Sequence, residues 1–282
     1  MKRFKNIIVN GAENIPMAMD VFYKEQKPQP VVIYAHGFNG FKDWGAFDLI
    51  AGQFAEAGFC FIKFNFSHSG TTPENPEVFT DMEAYGNNNY TKELEDLQTI
   101  VEWSLSNNNP HRNSIDRSKI FLLGHSRGGG IVLLKAAEEK RIRAVATWAS
   151  VAQCKTPWGS WPEEKIRQWK IAGVEYYTNS RTKQQLPLYY QLYEDYEKNK
   201  ERLDIMAAVK RLSIPILICH GTIDEAVPVS SAYALHHAND RSELFLLEAD
   251  HVFGRKHPWT HDELPAAMQS VVTKTIEFFK AN

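Results

Sequence analysis

Ser126 stands inside Gly124-His125-Ser126-Arg127-Gly128, directly after the apolar run Ile120 to Leu123 and shortly before Ile131-Val132-Leu133-Leu134, which favours a helix. A serine between glycines on a strand-to-helix turn suits one kind of chemistry. The turn leaves no room for side chains beside it, and it forces the serine backbone into a strained conformation that lifts Oγ out of the sheet. A hydroxyl presented in this way is a nucleophile once a base takes its proton.

The rest of the chain offers that base and an acid to orient it, in the order Ser, Asp, His. The β-branched run Ile214 to Cys219 reads as a buried parallel strand and empties into His220-Gly221-Thr222-Ile223-Asp224-Glu225. Asp224 therefore falls past the carboxyl end of a strand, where open α/β sheets hold their ligands. Glu225 ranks below it, because a turn aims only one of two adjacent side chains inward. The apolar run Leu244 to Leu247 leads into Glu248-Ala249-Asp250-His251, which makes His251 the expected base. Of the ten histidines, His257 and His261 are downstream alternatives, His236 and His237 belong to a helix, and His125 and His220 belong to their turns. Upstream, Tyr34-Ala35-His36-Gly37-Phe38-Asn39-Gly40 follows another strand. Its glycines free the Phe38 N–H to join the Arg127 N–H as a donor pair for an oxyanion.

Positioning these groups requires alternating strands and helices. Lys5–Val9 and Met17–Tyr23 read as an antiparallel hairpin joined through Asn10-Gly11. Parallel strands are expected at Val31–Ala35, Phe59–Phe64, Ile120–Leu123, Ala144–Trp148, Pro215–Cys219 and Leu244–Leu247. Helices are expected near Phe47–Ala57, Thr91–Leu105, Gly129–Lys140 and Ser231–Ala238, with a last one ending at Lys280. The fold class is α/β, a doubly wound, mostly parallel sheet with right-handed crossovers. Residues 152–211 break the rhythm. They carry nine Trp and Tyr rings among many charges and read as a mostly helical lid inserted into a core of residues 1–151 and 212–282. Trp158 and Trp161 are the expected lining of an apolar or aromatic acyl pocket.

His36-Gly37-Phe38-Asn39-Gly40, Gly124-His125-Ser126-Arg127-Gly128-Gly129 and His220-Gly221-Thr222-Ile223-Asp224 through Val227-Pro228 resemble the α/β-hydrolase serine esterases. Feruloyl (cinnamoyl) esterases and monoacylglycerol-lipase-like enzymes are the groups most similar, from about Val31 to the C-terminus except for the insert. The resemblance implies cleavage of carboxylic esters through an acyl-enzyme, with Ser126, Asp224 and His251 as triad. Two positions depart from the pattern. Arg127 stands where such esterases often carry Gln, and Asn65-Phe66-Ser67-His68-Ser69-Gly70 replaces the usual Asp-Phe-x-Gly-His-Gly, which bears on the substrate mouth.

The composition narrows the partners. A net charge of −2 leaves no basic footprint for nucleic acid or an anionic membrane. Three scattered cysteines and the absence of Cys-x-x-Cys or His-Glu-x-x-His give no reason to expect a metal or cofactor. The N-terminal apolar run is too short for a signal peptide, so a cytoplasmic location is expected. The expected partner is a small-molecule ester. A serine aminopeptidase using Glu163 or Glu164 to hold an amino terminus, a thioesterase, and a non-catalytic binding module are the alternatives.

Overall fold

The computed structural model describes residues 1–25 and 27–282. Its elements, in chain order, are β1 (Lys2–Asn10), β2 (Pro16–Tyr23), β3 (Gln29–Ala35), α1 (Phe47–Glu56), β4 (Cys60–Phe64), α2 (Met82–Gly86), α3 (Tyr90–Leu105), β5 (Ile115–His125), α4 (Arg127–Glu138) and β6 (Ile142–Trp148). They continue with α5 (Glu163–Ala172), β7 (Val174–Thr178), β8 (Gln185–Tyr189), α6 (Gln191–Lys198), α7 (Ile205–Arg211), β9 (Ile216–Gly221), α8 (Ser230–His237), β10 (Ser242–Leu247) and α9 (Ala266–Ala281). Eight strands form one sheet in the order β1-β2-β4-β3-β5-β6-β9-β10. The β1–β2 and β2–β4 pairs are antiparallel, and every other pair is parallel.

Strand periodicity divides the interior into two cores. Val31, Ile33, Ile120 and Leu122 point to one face, where Leu94 and Leu97 of α3, Ile131 and Leu134 of α4 and Val209 of α7 cover them. Val32, Tyr34, Phe121 and Leu123 point to the other, against Phe47 and Phe54 of α1 and Val271 and Phe279 of α9. Both faces are buried, which is why these strands read as continuous apolar runs. Sequential parallel strands joined by helices bring the carboxyl ends of β3, β5, β6, β9 and β10 to one edge. That edge carries the site.

The segment between β6 and β9 is less helical than its composition suggests. It holds three α-helices, α5, α6 and α7, a short 3-10 turn at Trp158–Ser160, and an antiparallel hairpin in which Tyr176 pairs with Pro187 and Tyr177 with Leu186. The hairpin escapes a pattern reading because its strands are short, mostly unburied in Val174–Thr178, and interrupted by Pro187. Among the described residues no helix is long and apolar enough to cross a membrane.

At the sheet edge, Asp20, Asp43 and Asp48 bring carboxylate oxygens within 4.8 Å of one another. The ammonium groups of Lys42 and Lys63 lie among them, 2.9 and 3.0 Å from Asp20, and Lys63 also reaches Asp43 and Asp48. Lys42, Lys63 and Asp20 are fully buried. The carboxylates are neutralised by resident cations, so the cluster is a buried ion-pair network tying β2 and β4 to the loop after β3.

Candidate active site

Two glycines set the elbow. A Cβ on Gly128 would lie 2.3 Å from the Ala35 carbonyl oxygen and 2.4 Å from that of His36, so only glycine lets α4 start against the end of β3. A Cβ on Gly37 would lie 2.9 Å from Ser126 Cβ, which brings the loop after β3 directly beside the serine. Ser126 itself has φ 57° and ψ −120°, a conformation that costs about 1–3 kcal/mol. Its surroundings hold it there: Ser126 N–H donates to the Trp148 carbonyl at 2.9 Å, and its own carbonyl accepts from Gly129 and Val151 at 3.0 and 3.3 Å.

Asp224 follows β9 and faces inward, whereas Glu225 is exposed. Its Oδ1 accepts the Ala226 and Val227 amides at 2.9 and 2.8 Å. Its Oδ2 lies 2.8 Å from His251 Nδ1 and 3.3 Å from His220 Nε2. Burial alone would raise the acid's pKa, but the two imidazoles and the backbone donors outweigh it and hold Asp224 well below the usual carboxylate range. An ionised Asp224 can only accept, so His251 carries its proton on Nδ1 and leaves the Nε2 lone pair free. Ser126 and His251 line the same cavity, of about 790 Å³.

Two histidines assigned to turns have partners of their own. His125 Nε2–H donates to the His251 carbonyl at 2.9 Å, fixing the loop that carries His251. His220 Nε2–H donates to the Val227 carbonyl at 2.9 Å while facing Asp224. Burial, with His251 and Arg255 nearby, holds His125 well below its usual pKa, so its ring is neutral. Their flanking positions in the motifs were the available signal. His257 and His261 lie elsewhere: His257 Nδ1 accepts the Gly45 amide at 3.0 Å, and His261 packs on Trp259.

The Arg127 side chain carries more than a motif reading assigns. It is buried, with Nε donating to Glu93 at 2.9 Å and its guanidinium 3.9 Å from the Tyr90 ring centroid. The first N–H of a helix has no intrahelical partner. Among the described residues neither the Arg127 N–H nor the Phe38 N–H is engaged in a hydrogen bond.

The expected pocket residues need correction. Trp158 is buried against Tyr90, Trp169, Tyr193 and Tyr196, and Trp161 packs on Trp169 and under the Lys165 ammonium. Neither lines the cavity, and of the nine rings in the insert only Tyr177 does. The insert is too small to bury its own rings alone, so Trp158, Trp161, Trp169, Tyr190, Tyr193 and Tyr196 pack on one another, with Trp158 also against Tyr90 of α3. The cavity takes its aromatic surface instead from the core: Tyr34, Phe38, Phe41, Trp44 and Phe47. Glu163 and Glu164 also lie away from it, at the start of α5, with Glu164 paired to exposed Arg167.

A mostly parallel eight-stranded sheet with its serine on a strained strand-to-helix elbow defines an α/β hydrolase. The chain belongs to the family described as serine aminopeptidase, S33, whose sequence model matches residues 26–251. Curated relatives include an uncharacterised 31.7 kDa protein from the traX-finO intergenic region of Escherichia coli, 27% identical over 44% of this chain and 38% of its own length. The quorum-quenching protein AidA of Acinetobacter baumannii is 26% identical over 44% of this chain and 35% of its own. The match thus spans less than two fifths of either relative. Among solved structures, Est1E from Butyrivibrio proteoclasticus with bound ferulic acid superposes with a TM-score of 0.69 at 16% identity, covering 98% of this chain and all of that one. A putative hydrolase from Agrobacterium vitis S4 gives 0.72 at 17% identity, over 99% and 98%. At such identities the likeness concerns the fold.

Proposed function

We propose that the protein is a serine carboxylesterase working through an acyl-enzyme, with Ser126 as nucleophile, His251 as general base and Asp224 as its orienting acid. The observation that carries this reading is the 2.8 Å His251–Asp224 contact at the wall of the cavity into which the strained Ser126 opens. Ser126 Oγ attacks the ester carbonyl carbon as His251 Nε2 takes its proton. The oxyanion accepts from the Phe38 and Arg127 amides. Collapse expels the alcohol, protonated by His251, and leaves the acyl group on Ser126. Water then attacks the acyl-enzyme with the same base, releasing the acid and restoring the serine.

Ester substrates are favoured over peptides with a free amino terminus on electrostatic grounds. An exopeptidase of that kind needs an anionic group to hold the substrate ammonium. Among the described residues lining the cavity there is no Asp or Glu, while Lys155 and Arg181 both line it. The apolar and aromatic walls suit small apolar or aromatic acyl groups.

The test is a substrate panel on purified protein beside Ser126→Ala: p-nitrophenyl esters of increasing chain length, methyl ferulate, an acyl-thioester and aminoacyl-p-nitroanilides. Ester turnover that disappears in the variant is the expected result. Ser126-dependent release from the anilides with silence on esters would move the protein to the peptidases. Silence throughout, with Ser126 unreactive to a fluorophosphonate, would leave a binding module.

A further inference from the structure

The acidic and basic side chains lining the cavity are of one sign, Lys155 toward the insert and Arg181 at the opposite end. At the end formed by Phe41, Trp44 and Phe47, the Arg181 guanidinium lies 5.9 Å from the Phe41 ring centroid, and among the described residues it has no carboxylate partner. Arg255 adds a second cation at this end. It is 3% exposed, with Cζ 4.7 Å from the Phe47 centroid and 5.6 Å from that of Trp44. Its Nε–H donates to the Val252 carbonyl, but both terminal nitrogens are buried without a partner among the described residues. A cation so placed ordinarily has a carboxylate against it. The nearby acids are engaged elsewhere: Asp250 Oδ1 accepts the Val252 and Gly254 amides, and Asp43 pairs with Lys42 and Lys63.

We propose that this end of the cavity is a subsite for a carboxylate carried by the substrate, contacted by Arg181 at the rim and favoured by the Arg255 guanidinium, which has no ion-pair partner among the described residues, behind the aromatic wall. The inference rests on the esterase reading and extends it to a substrate class, esters that bear a free carboxylate. An arginine fork matches a carboxylate in geometry, and a concave wall of one sign concentrates the opposite charge. Burial lowers the Arg255 pKa to about 10, which leaves it charged at neutral pH.

The experiment compares charged and neutral isosteres. Mono-p-nitrophenyl adipate against its terminal carboxamide tests a carboxylate on the acyl side. 4-Acetoxybenzoate against 4-acetoxybenzamide tests one on the alcohol side. In at least one pair the acid should be favoured by roughly fivefold in kcat/KM at low salt, as expected for a partly exposed ion pair. The preference should fall in 0.5 M NaCl, shrink in Arg181→Gln to the smaller share that the Arg255 charge supplies, and survive in Arg181→Lys. Binding is read separately in Ser126→Ala protein, as quenching of tryptophan fluorescence by monomethyl adipate against dimethyl adipate. Ester turnover without charge preference in either pair, or a preference untouched by Arg181→Gln, overturns the subsite and leaves the esterase reading intact. Arg181-dependent binding of the monoanion with no turnover of any ester overturns the esterase reading and leaves the subsite. Absence of both overturns both.

Discussion

Arg127→Met strips a buried cation from a buried anion, and the structure sets the scale of the loss. The Arg127–Glu93 pair is 2.9 Å long, and the two side chains are 2% and 6% exposed. Charges about 4 Å apart at an effective dielectric near 20 interact by about 4 kcal/mol. Removing one partner from such a pair costs about 3–5 kcal/mol, because the survivor stays buried and unpaired. Glu93 would keep only the 2.8 Å hydrogen bond from Asn88. The stack on Tyr90 would be lost as well. At about 2–4 °C per kcal/mol for a chain of this size class, the variant should melt on the order of 10 °C lower. Glu93→Leu should cost a similar amount, since it orphans the guanidinium. The double variant R127M/E93L should cost far less than the sum, because apolar groups can replace a buried pair almost neutrally. The assay is a double-mutant cycle by urea unfolding and thermal melting, with ester turnover measured on each folded variant. The proposed oxyanion donor is the backbone N–H of Arg127, which survives the exchange, so the double variant should keep turnover within about tenfold. A single-variant loss below about 1 kcal/mol, or additive losses, would refute the energetic reasoning. A fall of 10²–10³ in the well-folded double variant, the size expected for a lost oxyanion donor, would show that the guanidinium holds the amide in place.

Ser126→Ala should lower turnover by on the order of 10⁶, and Asp224→Asn by roughly 10⁴, both read as kcat on a p-nitrophenyl ester; near-native rates would refute the roles assigned to them. Gly128→Ala should fail to accumulate as folded protein, because its Cβ meets two backbone carbonyls at 2.3 and 2.4 Å; soluble yield and far-UV circular dichroism decide this. Trp158→Ala should lower the melting temperature with little change in substrate ranking, whereas Trp44→Ala should change the ranking, since only Trp44 lines the cavity. Acid should weaken the fold through His36, whose Nδ1–H donates to the Gly37 carbonyl and whose Nε2 accepts the Phe66 amide. Burial pushes its pKa down to about 4. The unfolded chain therefore binds more protons between about pH 6.5 and 4, so this contribution is complete above pH 6.5 and declines to its lowest by about pH 4. The loss is on the order of 3 kcal/mol, and the pH dependence of unfolding in His36→Asn should be shallower by that amount.

Local rules account for much of what the chain alone determines here. Gly124 and Gly128 around Ser126, an apolar strand before them and a helix former after them specify a sharp turn whatever surrounds it. Apolar runs at Val31–Ala35, Ile120–Leu123 and Pro215–Cys219 specify strands covered on both faces, and so a layered α/β sheet. Asp224 over Glu225 is legible too, since adjacent side chains point apart. What only the tertiary structure decided are pairings across long separations and the division of labour among similar residues. Glu93 and Arg127 are 34 residues apart, on separate helices that meet through packing. His220 gained its place beside Asp224, and His125 its grip on the His251 carbonyl, from where the strands end. Composition could not sort the aromatic rings, because packing a ring into a core and lining a cavity with it use the same side chain. Which task each performs depends on what lies opposite: for Trp158 it is four other rings, and for Trp44 it is the open cavity.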